Sequence, residues 1–282
     1  MSITPTALIL GANDHVGGYL ARLLQARGHR VATVADPSLA MPDALALLGI
    51  ANDVEPLASA DVTAFIANTA STTLYAINTS EAAATLLEAT LTAAASSATR
   101  YVHVVDRHTL VARPAAALFT HRIAELRHAS GVAATTAILG HHDSRLGPSD
   151  NLAAHITTAA WRASQGKAIS PLELTETGPQ DWGWTPEYVD AIQRIGAMAQ
   201  PRDLAIASGQ SLTTAEFAHH AFAFFGLDAS AHVRITPLPI TDTATETAAA
   251  ALKTATGWSA STRGRDFVRA LCEGAADRLP PT

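Results

Sequence analysis

Three groups of residues in this 282-residue chain have the types and spacing to do chemistry. Asp106-Arg107-His108 and His141-His142 each follow a short apolar run. That is the pattern of a buried parallel strand ending at a ligand crevice. A carboxylate beside an imidazole orients the ring and raises its pKa, which makes Asp106 and His108 a workable general acid/base pair near neutral pH. Side chains alternate along a strand, so an extended segment here puts both on one side. His141 and His142 are expected at the same crevice. Four such groups also invite a metal, yet their spacings match no strong zinc motif, and none is expected. The plain alternative is that all four are polar loop residues. Ser71 and Ser144 have no base and orienter around them, and His121, His128, His155, His219 and His220 fall on helical stretches as surface residues.

The third group is Gly11-Ala12-Asn13-Asp14-His15-Val16-Gly17-Gly18. A dinucleotide turn needs one glycine for the tight turn, one for backbone approach to the diphosphate, and one for close helix packing. Gly11 and Gly17 stand at the right spacing, with Asp14 where the middle glycine belongs. Its carboxylate either repels a diphosphate or turns away to cap the helix. Asn13, His15 and Val16 complete the turn. Asp36 ends the second predicted strand, where a carboxylate accepts from a ribose 2′-hydroxyl and favours NAD over NADP. Its other reading is a loop entry, Asp36-Pro37-Ser38. Ala67 and Asn68, closing the third predicted strand, round off a candidate cofactor site. NAD is the candidate cofactor, and an abandoned cofactor site is the alternative.

These residues need a frame. Residues 7–10 read as a buried strand, 19–24 as a helix and 31–34 as a strand, which make one βαβ unit. The alternation continues with strands at 62–67, 101–105 and 135–139 and helices at 81–97 and 115–130. It predicts an α/β, Rossmann-type doubly wound parallel sheet over residues 1–140. Beyond it the elements become shorter and mixed, as in a small C-terminal substrate region over 141–282 with some elements returning to the sheet. Thr185-Pro186-Glu187 has the marks of a helix start, with a cap, a first-position proline and an acidic first turn. Residues 213–225 read as another helix, ended by Gly226, and 241–251 as a mobile loop leading into a helix. Trp182 and Trp184 are expected to pack the smaller region's core. The alanine-rich helices 81–97 and 115–130 either form a homodimer face or press against the sheet.

With 48% hydrophobic and 16% charged residues the chain is globular rather than disordered. A net charge of −6 and no basic stripe argue against nucleic acid. The single Cys272 excludes an intrachain disulfide and fits a reducing compartment. No basic leader or long apolar run is present, so the expected location is cytoplasmic.

Tyr19-Leu20-Ala21, His142-Asp143-Ser144, Asp181-Trp182-Gly183, Tyr188-Val189-Asp190-Ala191 and Thr256-Gly257-Trp258 occur in the order and spacing of one family. Over residues 6–271 the chain resembles an extended short-chain dehydrogenase/reductase, closest to the GDP-mannose 4,6-dehydratases. The resemblance implies a nicotinamide cofactor, a nucleotide-sugar ligand and a Tyr-x-x-x-Lys pair that moves a proton during hydride transfer. It also implies a Ser-Thr-Ser-Glu segment after the central strand, whose Thr polarises the sugar and whose Glu is the dehydration base. Here those four positions hold Val105-Asp106-Arg107-His108, and no Tyr-x-x-x-Lys follows. The family's nucleotide-clamping Arg-Pro-x-Glu falls on Leu238-Pro239-Ile240-Thr241. The chain is therefore read as a diverged dehydratase-like protein doing non-redox acid/base chemistry on a small molecule. The alternatives are an inactive scaffold that binds a nucleotide or partner protein, and a residual NAD-dependent nucleotide-sugar dehydratase or epimerase.

Overall fold

Strand β1 (Thr6–Leu10) is buried at every position, and its run of uncharged residues suits a strand covered on both faces. In the computed structural model, residues 4–36, 43–70, 72–77, 84–167, 170–176, 178–237 and 245–278 are described. The elements that follow are α1 (His15–Ala26), β2 (Arg30–Val34), α2 (Ala44–Leu47), β3 (Glu55–Pro56), α3 (Val62–Asn68), β4 (Thr72–Ile77), α4 (Ala84–Ala95), β5 (Arg100–Asp106), α5 (Arg107–Ala112), α6 (Pro114–Ser130) and β6 (Ala134–Leu139). Then come β7 (His141–Asp143), α7 (Leu152–Ser164), β8 (Leu172–Glu176), β9 (Gln180–Trp184), α8 (Thr185–Gly196), β10 (Leu204–Ile206), β11 (Ser211–Leu212), α9 (Thr214–Phe224), β12 (Val233–Pro237), α10 (Thr245–Thr256) and α11 (Gly264–Arg278).

Seven strands form one sheet in the order β10-β6-β5-β4-β1-β2-β3, and every pairing in it is parallel. This is the Rossmann-like α/β fold. Strand addition reverses at β1, with β2 on one side and β4 on the other, and ligands of such sheets bind at the carboxyl ends around that switch. Leu8, Leu10, Val34, Leu74 and Tyr101 of the strands pack on Val62 and Ile66 of α3, Leu87 and Leu91 of α4, and Ile123 of α6. The sheet belongs to one compact unit (1–139, 188–206, 254–258), and the second comprises 140–187, 207–253 and 259–282.

One expected strand is a helix. Residues 62–67 fold as α3, with Val62 and Ile66 buried four residues apart while Thr63 and Ala64 are exposed. The strand lies just after it at β4. A short apolar run does not distinguish a strand from a helix by period alone.

The second unit holds a small mixed sheet, β11-β9-β7, and a parallel pair, β12-β8. Phe217, Phe222, Phe267 and Leu271 form its core, against which Trp182 and Trp184 pack as expected. Two carboxylates tie distant loops together there. Asp181 accepts the N–H groups of Ser208 and Gly209 at 2.7 and 2.6 Å. Glu187 accepts N–H and O–H from both Ser261 and Thr262. Burial alone would raise the Glu187 pKa, but the bonds from Ser261 and Thr262 outweigh it and hold the carboxyl below its usual range. No helix among the described residues is long and apolar enough to cross a membrane.

Candidate functional site

The turn between β1 and α1 is built as the glycine spacing demands. Gly11 adopts φ +79°, and a Cβ there would stand 2.6 Å from the Ile77 carbonyl oxygen. Only glycine combines that left-handed backbone with so close an approach. A Cβ on Gly17 would lie 2.5 Å from the Gly11 carbonyl oxygen and 2.7 Å from the Ala12 Cα, so this glycine lets α1 sit directly on the turn. Asp14 takes the second of its two anticipated courses. It is the N-cap of α1, and its Oδ1 accepts the Val16 N–H at 2.7 Å. Asp14, His15 and Val16 are all buried.

Asn13 clamps the turn to the end of β2. Its side-chain amide donates to the Asp36 carbonyl oxygen at 2.8 Å, and its Oδ1 accepts the Asp36 N–H at 2.8 Å. Asp36 is buried beside this clamp, while Pro37 and Ser38 of the alternative turn lie outside the described residues. Ala67 and Asn68 need correction. They are exposed at the carboxyl end of helix α3 rather than at a strand end, because the run that carries them is helical. The strand edge they were assigned to belongs to Ile77.

At the same carboxyl edge of the sheet β5 ends in Asp106, which pairs in register with Leu139. Helix α5 starts at Arg107, with Asp106 as an extended N-cap residue whose side chain does not bond to the helix. Strand alternation therefore stops at Asp106 and does not place His108 beside it. His108 is exposed on the first turn of α5, its Nε2 3.5 Å from the Thr109 Oγ1. The next helix, α6, spans 17 residues and contains neither tyrosine nor lysine. The chain has two lysines, Lys167 and Lys253, and neither stands four residues after a tyrosine.

His141 and His142 lie in the second unit, on β7 rather than at the end of β6. Neighbouring residues of a strand point to opposite faces, so the expectation that both turn to one crevice is corrected. His141 is exposed and packs on the Trp182 ring at 5.2 Å between centroids. His142 donates from Nδ1 to the Gly140 carbonyl oxygen at 2.9 Å. His121, His128, His155 and His219 are exposed on their helices and His220 is half-buried. Among the described residues no group of three or more His, Cys, Asp or Glu side chains is arranged to hold a metal. Ser71 and the segment 238–241 lie outside the described residues.

One titratable group escaped the sequence reading. His103, mid-strand in β5, is buried with its ring edge-on to Phe119 at 5.1 Å. Burial pushes its pKa down to about 4, against a weaker upward pull from Asp203. The alternation of β5 turns it toward the helices, an internal place that an isolated histidine in an apolar run does not announce.

The fold implies a dinucleotide, and the turn fits one only in part. Gly11 and Gly17 supply the tight curve and the close packing. The Val16 N–H, which would meet a diphosphate at this helix N-terminus, is already bonded to a carboxylate. With Asp14 in place a diphosphate lacks this donor and meets a carboxylate instead.

A family model described as GDP-mannose 4,6 dehydratase matches residues 115–271. GDP-mannose 4,6 dehydratase 1 of Arabidopsis thaliana is 29% identical over 109 residues, and the matched segment spans 39% of this chain and 30% of that protein. Among solved structures, dTDP-glucose 4,6-dehydratase from Bacillus anthracis str. Ames in complex with NAD has a TM-score of 0.76 at 8% identity, covering 97% of each chain. UDP-glucose 4-epimerase from Stenotrophomonas maltophila, with bound NAD and formylated UDP-arabinopyranose, has a TM-score of 0.77 at 13% identity, covering 97% of this chain and 98% of that one. UDP-glucose 4-epimerase from Thermotoga maritima with UDP-glucose gives 0.76 at 10% identity, over 98% of this chain and all of the other. At such identities the likeness is one of fold. The family match extends from α6 through Asp181-Trp182-Gly183 and Tyr188-Val189 to Leu271, more than half of the sequence, and on it the chain belongs to the GDP-mannose 4,6-dehydratase family.

Proposed function

We propose that this protein acts on a nucleotide-sugar-like molecule by acid/base chemistry without hydride transfer. The observation that carries the reading is the pairing of a helix α6 devoid of tyrosine and lysine with a strand β5 that delivers Asp106 to the carboxyl edge of the sheet. A hydride-transferring dehydratase must first make a ketone. A protein without the means to make one can still use a ketone already present, because a C–H bond beside a carbonyl is acidic enough for a side-chain base. Asp106 takes that proton, the electron pair moves onto the carbonyl oxygen, and His108 protonates the oxygen to give an enol. A proton from solvent water then reaches the opposite face of that carbon as His108 takes back the enol proton, and Asp106 gives its proton to water, so the epimer forms with no net redox change. In the second unit taken by itself, His141, seated on Trp182, is a separate candidate for acid/base work. Once the Asp14 charge is removed, NAD should be favoured over NADP, since the Asp36 carboxylate suits a ribose hydroxyl and opposes a 2′-phosphate.

A homodimer belongs to the same proposal. Helix α6 fully buries only Ile123 of its 17 residues, and Val111 and Leu118 are 83% and 69% exposed. An apolar surface of this kind marks an interaction face, and a second copy of the chain is the partner proposed for it.

The test offers a 4-keto nucleotide sugar in D2O and follows the carbons beside the carbonyl by NMR. Solvent deuterium should enter there without added NAD, at a rate cut by about 100-fold or more in Asp106→Ala and in His108→Ala. Exchange no faster than in buffer would refute the reading and leave the family's fold as a binding scaffold.

A further inference from the structure

We infer that Asp14 is a built-in anion that takes the place of a dinucleotide's diphosphate at the start of α1. Four N–H groups of this turn meet internal acceptors. Gly11 and Ala12 donate to the Val34 carbonyl at 2.9 and 3.3 Å, and Asp14 donates to the Gly11 carbonyl at 3.1 Å. Val16 donates to the Asp14 carboxylate at 2.7 Å. The Asp14 side chain is held there by its extended cap backbone, φ −67° and ψ 153°, and by burial to 7% exposure. The Asn13 clamp on Asp36 keeps the turn from opening toward β2.

A helix N-terminus attracts anions because it exposes N–H donors at the positive end of the helix dipole. Here a covalently attached carboxylate already meets one donor and offsets the dipole. An entering diphosphate would have to displace it and tolerate its charge at close range. The glycine spacing of the turn survives while its anion site is occupied from within.

The test is calorimetric titration of the full chain with NAD, comparing wild type, Asp14→Gly and Asp14→Asn, each checked by mass spectrometry for co-purified nucleotide. Asp14→Gly should bind NAD more tightly than wild type by about tenfold or more, since two like charges a few ångströms apart are separated. Asp14→Asn keeps an oxygen for the Val16 N–H and loses the charge, so its affinity should fall between the two. Adenosine, which has no diphosphate, should bind all three alike. If Asp14→Gly melts well below wild type, Asp14→Asn decides the question. Equal NAD affinities in wild type and the folded variants, whether tight or immeasurably weak, would overturn the inference.

Discussion

At the scale of single residues, the molecule places its charges in ways that the order of amino acids only half discloses. Asp14 could be recognised as an anomaly among glycines, and its two consequences, repulsion or capping, could both be stated. Which one holds depends on a side-chain torsion. Asp106 could likewise be placed at a strand end, but the start of α5 at Arg107 moved His108 onto a helix. His103 was silent for a different reason, since nothing local separates a buried histidine from a strand-end one. It yields a pH prediction. The unfolded chain takes up a proton near the ordinary 6.5, whereas the folded protein resists protonation until about 4. Stability therefore falls as pH drops through that window. Going from about pH 7 to about pH 5 costs about 2 kcal/mol from this residue alone. Thermal melts of His103→Phe should lose less stability over that interval than wild type, and an equal loss would remove His103 as the cause.

At the scale of elements, most of the sheet was readable because its strands are apolar runs punctuated by glycine and acidic turns. The exception, α3, shows the limit. Val62-Thr63-Ala64-Phe65-Ile66 is rich in β-branched and aromatic residues, yet it is the burial of Val62 and Ile66 on one side that decides for the helix. Ala67 and Asn68 accordingly end a helix and not a strand. The motifs behind the family resemblance are chiefly architectural. Asp181 ties down Ser208 and Gly209, Glu187 ties down Ser261 and Thr262, and Tyr188 meets Trp258 edge to face at 5.9 Å. Such long-range pairings hold each unit together. The contact of α1 with its turn is equally strict. Gly17→Ala would press a methyl group against backbone atoms that cannot move aside, at a cost on the order of 3 kcal/mol. Urea denaturation should register that loss, and a variant as stable as wild type would mean that α1 can shift along the sheet.

At the scale of the whole molecule, the net charge of −6 and the sparse lysines leave small anionic ligands to be held by arginine, histidine and backbone groups rather than by a basic surface. Helix α6, with the exposed Leu118 at its outer side and Val111 just before it, is the proposed meeting place of two copies. Light scattering should give a dimer mass for wild type and a monomer mass for Leu118→Glu with an unchanged far-UV spectrum. A wild-type monomer would remove the face from the account. The alanine content of helices 81–97 and 115–130 leaves a dimer face and packing on the sheet both open; Leu87, Leu91 and Ile123 pack with the strands, and the exposed Leu118 is what supports the proposed face.

The proposed chemistry proceeds without hydride transfer, and deuterium exchange on a 4-keto nucleotide sugar in D2O, run beside GDP-mannose with NAD, tests it most directly. NAD-independent deuterium is expected at the carbons flanking the carbonyl, cut by about 100-fold or more in Asp106→Ala, with no 4-keto product from GDP-mannose. NAD-dependent conversion of GDP-mannose to a 4-keto sugar would contradict it.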